Sequence, residues 1–299
     1  MVTLISISTS MDADFICSRL GKELSILQNE GINVLVEQNN KGNFVFLDCS
    51  IEEAKKPEQE MILRHYVANA ISDAILGQWE YLLLKKITKN HYYYLSPDEK
   101  ENVLMKAKKI LDAMSNNEED KYLMYRLNRK SKILHKVLDY LSQNNSINID
   151  GFINFRLQDY LEDLNHVIEQ AVDELLLEKE YEEFIMLLKY FVDIQEPRLN
   201  KVHVMLLSSG NFQLFDDHDK SINEQCLEGC IVEMIDNEIN YEDLLISALI
   251  TIAPREIVVH VPEHTKSPNI IKTLQGVFGE RLEICIGCTR CVKKNRNTH

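Results

Sequence analysis

A chain of 299 residues with 45% hydrophobic and 27% charged side chains buries one large core or two ordinary ones, which excludes wholesale disorder. Its formal net charge of -14 repels phosphate backbones and anionic lipid wherever basic residues are not locally concentrated. Ten glycines and six prolines suit helices joined by short turns and exclude glycine-rich phosphate loops, Gly276 and Gly279 forming only a lone pair.

The apolar runs are interrupted by charges before the ~20 residues of a membrane span. The start, Met1-Val2-Thr3-Leu4, lacks the basic region of an export signal, so the expected compartment is the cytoplasm. Seven cysteines, an odd number, then read as reduced thiols rather than a disulfide framework.

The elements predict an α+β protein in three parts: an N-terminal β-α-β-β segment (1–56), a helical region (57–197) and a C-terminal α/β region with a cysteine-rich tail (198–299). Val2, Leu4 and Ile5 to Ile7 predict a strand, and Asp12 to Asn29 a helix that ends near Gly31. Two further strand signals flank Asn39-Asn40-Lys41-Gly42, a hairpin turn. From Pro57 the period becomes helical, with Met61, His65, Ala68, Ser72, Ile75, Trp79 and Leu82 on one stripe expected to be buried. Ser96-Pro97-Asp98-Glu99 reads as an N-cap followed by proline and acids in a first helical turn. Helices continue to about Leu141 with a break near Ser115-Asn116-Asn117, and Asn144 to Asp150 reads as a polar break.

Leu157, Leu161, Leu164, Ile168, Ala171 and Leu175 form a regular seam that Phe184, Leu188 and Phe191 are expected to continue, up to Glu196-Pro197. Strands then return at Val202 to Leu207 and Phe212 to Phe215, around the hairpin signal Ser208-Ser209-Gly210-Asn211. A helix from Tyr241 to Ile252, a strand through Ile257-Val258-Val259-His260-Val261, a helix from Ile270 to Phe278 and a strand at Leu282 to Ile286 make a crossover unit.

Several groups of residues invite chemistry. Cys285-x-x-Cys288-x-x-Cys291, with Gly287 permitting a tight turn, brings thiolates to one side, as a zinc ion or an iron–sulfur cluster requires. A fourth ligand is wanted, and Cys226 or Cys230, Cys49, or a histidine such as His299 are candidates among which the sequence does not choose. Arg290, Lys293 and Lys294 favour thiolate there. A core strand cysteine at 285 followed by free thiols on a frayed end is the preferred reading, since no second Cys-x-x-Cys pair is present.

Asp216-Asp217-His218-Asp219 gathers oxygen ligands suited to Mg²⁺ or Mn²⁺, to which a hydrolase reading adds Glu233, Asp236 or Asp243. A solvated acidic turn is the preferred reading. The stretch from Lys121 to Lys136 carries Arg126, Arg129, Lys130 and Lys132 without an acid and is the one place suited to nucleic acid, although pairing with acidic neighbours is favoured. His203 and His260 fall in apolar strands, where alternation turns both inward as hydrogen-bonded structural histidines, ahead of a general base. Asp243 and Ser247, one helical turn apart, complete a Ser-His-Asp reading with His260, but without the strand-to-helix elbow that such a site needs.

Gly151-Phe152-Ile153-Asn154-Phe155-Arg156-Leu157, Glu178 to Ile185, Leu188 to Val192, and Asp243 to Ile250 running on through Ala253-Pro254 to His260 resemble the YtxC-like sporulation proteins of endospore-forming bacteria. The resemblance covers most of the chain and is sharpest from Gly151 to His260. It implies a cytoplasmic protein associated with sporulation, and no catalytic residues carry over from it. With no cofactor loop and with long amphipathic helices, a non-catalytic interaction or regulatory protein with protein partners is the leading reading. A metal-dependent hydrolase or nuclease built on the C-terminal acids and a thiol–metal protein built on the cysteine tail are the alternatives.

Overall fold

The computed structural model describes residues 3–51, 57–113, 119–207, 211–222, 241–261, 268–285, 287, 288 and 291. The architecture is α+β, with a helix-rich centre and two four-stranded sheets. Two compact units divide the chain, Met1–Leu176 and Leu177–His299. No helix among the described residues is long and apolar enough to cross a membrane.

The first unit opens as its sequence suggests. Strand β1 (Thr3–Thr9), helix α1 (Ala13–Asn29) and strands β2 (Val34–Lys41) and β3 (Phe44–Ile51) follow in order. The hairpin turn is tighter than its polar run implies: Lys41 pairs with Phe44, and only Gly42 and Asn43 lie between. Gly42 has φ +62°, which a side chain tolerates poorly. The sheet runs β2-β3-β1-β4, and its last member is a strand that polarity concealed. Within the polar stretch from Asn144 to Asp150, Ser146–Asn148 (β4) pairs in parallel with Ser6, Ile7 and Ser8 and buries Ile147 completely enough to join the core. Three residues are too few for period 2 to show.

Helices α2 (Pro57–Ala74), α3 (Glu80–His91), α4 (Pro97–Ala113), α5 (Glu119–Gln143), α6 (Ile149–Arg156) and the 37-residue α7 (Gln158–Ile194) fill the middle. The predicted stripe is buried at Ala68, Ser72, Ile75 and Trp79, but its first two members, Met61 and His65, are exposed, and Leu63, Val67, Ile71 and Ala74 widen the buried face. Ile75–Trp79 forms a π-turn, with Gly77 at φ -94°, ψ -110°, whose added residue shifts the phase of the helix. The N-cap at Ser96 is a full capping box, since Ser96 N–H donates to Glu99 Oε2 (2.6 Å) and Glu99 N–H to Ser96 Oγ (3.3 Å). The seam of α7 is buried at Leu164, Ile168, Ala171 and Leu175, but Phe184 and Phe191 are exposed by 55% and 45%. Leu188 packs against the second unit's core as expected, together with Ile185 and Val192.

That second core is built on β5 (Leu199–Leu206), β6 (Phe212–Phe215), α8 (Tyr241–Ile252), β7 (Pro254–His260), α9 (Pro268–Phe278) and β8 (Leu282–Cys285). Strand order is β6-β5-β7-β8, with β5, β7 and β8 parallel and β6 antiparallel at the edge. Val202, Val204, Leu206, Ile257 and Val259 face α8 and α9, which contribute Leu245, Ala248, Leu249, Leu274 and Val277. The packing is close: a Cβ on Gly276 would meet Ile185 Cγ2 at 2.8 Å. Because side chains alternate across a strand, His203, Met205, Val258, His260, Glu283 and Cys285 share the other face.

Candidate metal centre

The C-terminal ends of parallel strands are where backbone and side chains open into a crevice in α/β sheets. Here the run Ile257-Val258-Val259 makes β7 a buried strand, and His260 is its last residue. Cys285 is the last residue of β8 and lies beside His260 in the parallel register. Gly287, at φ +129°, turns the chain back just beyond it, a conformation that glycine adopts without a Cβ penalty. The turn returns Cys288 and Cys291 to the same strand ends.

Four side chains converge as a result. One ligand atom from each of His260, Cys285, Cys288 and Cys291 lies within 4.8 Å of the others. His260 Nδ1 is 3.4 Å from Cys288 Sγ and 3.5 Å from Cys291 Sγ. Cys291 Sγ is 3.8 Å from Cys288 Sγ and 3.9 Å from Cys285 Sγ. These separations exclude disulfides, whose sulfurs lie about 2.0 Å apart. Zinc bonds of about 2.3 Å to sulfur and about 2.0–2.1 Å to nitrogen define a tetrahedron with edges of about 3.8 Å (S···S) and about 3.6 Å (S···N). The donor set fits one such ion. A multinuclear cluster spreads its ligands over several irons and needs wider spacing than these edges.

His260 is buried, with 2% of its surface exposed, and its other ring nitrogen, Nε2, is 3.1 Å from Nδ1 of His203 on β5. The two rings are tilted by 34° with centroids 5.3 Å apart, so this is an in-plane hydrogen bond rather than a stack. Both histidines sit on the face opposite the helix-packed core. Burial, the largest effect, raises the Cys291 thiol above its ordinary range. A metal arriving there displaces protons.

Of the expected fourth ligands, Cys49 is fully buried in the first unit's core, where burial and then the Asp48 charge push its thiol up to about 12. Cys226, Cys230 and His299 lie outside the described residues, as do Glu233, Asp236, Arg290, Lys293 and Lys294. A histidine is among the expected fourth ligands, and strand register, which the sequence does not show, makes it His260 by bringing residue 260 beside residue 285.

The remaining candidates are engaged elsewhere. Asp243 and Ser247 lie on the exposed face of α8. His260 directs Nδ1 at sulfur and Nε2 at His203, so its ring is not poised as the base of an Asp243-Ser247-His260 arrangement. Asp216 Oδ1 accepts from the backbone N–H groups of His218 (2.9 Å) and Lys220 (2.8 Å). The Lys220 bond, first, and the His218 bond hold its carboxyl below the usual range, as in a capped turn. The basic stretch is paired internally: Arg129 with Glu80, Lys130 with Asp73 (2.8 Å) and Lys136 with Asp159 (2.8 Å). Arg129 also lies over the Tyr160 ring, and the Tyr160 hydroxyl donates to Glu80 at 2.6 Å. Burial lowers the Arg129 pKa and raises that of Tyr160. These groups form a half-buried structural network in the first unit.

The chain belongs to the YtxC-like family, whose model matches residues 65–283. It is 30% identical over 202 residues to a protein of Bacillus subtilis (strain 168) bearing the name "Uncharacterized protein YtxC", covering 64% of this chain and 66% of that one. The match thus spans slightly less than two thirds of the relative. No solved structure matches. His203 and His260 fall within the family match, and Cys285, Cys288 and Cys291 lie beyond its last residue.

Proposed function

We propose that this YtxC-like protein is a sporulation-associated, non-catalytic interaction protein whose second unit holds one tetrahedral zinc ion through His260, Cys285, Cys288 and Cys291. The observation that carries the zinc reading is metric: S···S separations of 3.8 and 3.9 Å and S···N separations of 3.4 and 3.5 Å match four of the six edges of a Cys₃His tetrahedron, and the remaining two lie within 4.8 Å. Four protein ligands close the coordination sphere, which is the mark of a structural site; a catalytic zinc keeps a position for water. The ion would tie the chain after β8 to the end of β7. The association with sporulation rests on family membership and on the resemblance between Gly151 and His260.

Metal analysis of protein purified without chelator and under nitrogen tests the zinc reading. One zinc per chain is expected, falling to background in Cys288→Ser and Cys291→Ser. Metal-free parent protein that also fails to take up added zinc would overturn it. For the cellular role, the expected outcome of deleting the gene in a spore-forming host is a lower yield of heat-resistant spores with vegetative growth unchanged.

A further inference from the structure

We infer that His203 is a positioning residue of the metal centre, holding His260 in the one tautomer that can bind the ion. The inference rests on the zinc reading above and adds a residue outside the ligand set.

Nδ1 of His260 points at Cys288 and Cys291, so Nδ1 must carry a lone pair when the metal binds. In neutral imidazole the proton then sits on Nε2. That atom lies 3.1 Å from Nδ1 of His203, so His260 is the donor and His203 the acceptor. His203 accordingly bears its own ring proton on Nε2.

The sheet fixes both rings. His203 pairs with Val258 and Met205 with His260 across the parallel β5–β7 ladder, so the two histidines lie diagonally on one face. A rigid ladder holds the acceptor where the metal-ready tautomer needs it, before any ion is present. Metal-bound histidines commonly donate their second N–H to a carboxylate or carbonyl, and removal of such partners weakens metal binding by about 10–100-fold. Here an imidazole nitrogen serves that purpose.

Three proteins test this: the parent, His203→Asn, whose amide oxygen can accept in place of Nδ1, and His203→Leu, which fills the space without an acceptor. Zinc affinity is read by competition with a chromophoric chelator, and the ligand set by the absorption of the cobalt(II) forms. The Leu variant is expected to bind zinc about 10–100-fold more weakly, the Asn variant within a few-fold of the parent, and all three to give the same cobalt–thiolate bands. Equal affinity in the Leu variant and the parent overturns the role of His203 while leaving the zinc site intact. A parent that binds no zinc overturns both.

Long-range ¹H–¹⁵N spectra of the metal-free parent supply a test that needs no variant. The His260 ring is expected to show its proton on Nε2; a ring protonated on Nδ1 refutes the inference directly.

Discussion

The two units solve the same problem by different means. The first buries a continuous core around a mixed sheet, with Ile5, Ile7, Leu47 and Ile147 from the strands and Leu20, Leu63, Ile71, Trp79 and Leu164 from the helices. The second packs its helices against one face of a smaller sheet and turns two histidines and three cysteines toward the other. Small cores leave little surplus over conformational entropy, and structural metals are a common supplement. On the zinc reading proposed above, apolar packing sets the stability of the first unit, and packing plus an ion that of the second.

The strongest way to break this contrast is to remove the ion. Chelation, or Cys288→Ser, is expected to destabilise the second unit on a scale set by the about 10–16 kcal/mol with which structural zinc holds peptide folds at neutral pH. Amide hydrogen exchange should quicken in β7 and β8 and stay unchanged in β1 and β3. Equal acceleration in both units would show that the contrast is wrong.

The converse experiment is next in size. Trp79 is 1% exposed in the first core, and Trp79→Ala is expected to cost about 3–5 kcal/mol with zinc content unaltered. Its indole N–H has no acceptor among the described residues, so Trp79→Phe should cost distinctly less than the truncation. Denaturant titration of both variants checks the order, and a Phe variant as damaged as the Ala variant would refute it. Smallest is the capping box at the start of α4. Ser96→Ala should lower stability by about 1 kcal/mol, leaving the exchange of β7 and β8 as in the parent.

Much of this fold was legible because local periodicity is strong. The β6 and α8 ranges coincide with their hydrophobic signals, and the capping box could be read from four residues. The failures have physical causes. The stripe through Ala68, Ser72, Ile75 and Trp79 is buried, but its extension back to Met61 and His65 fails because Leu63 and Val67 face the core at that end of α2. Strand β4 is held by pairing with β1 rather than by its own pattern. Phe184 and Phe191 continue the spacing of α7 in sequence, but the helix leaves the first core after Leu175 and presents Ile185, Leu188 and Val192 to the second.

The same division runs through the candidate site. Three thiols spaced by two residues around Gly287 are a local arrangement, so the sequence alone determined that they could meet on one soft ion. The fourth donor was decided by tertiary structure. His260 and Cys285 are distant in the chain and become neighbours only because β7 and β8 pair in parallel with their last residues in register. Strand alternation then puts His203 on the same face, within a hydrogen bond of His260. Spacing along a chain governs which side chains one turn can gather; hydrogen-bonded register between strands governs which distant ones join them.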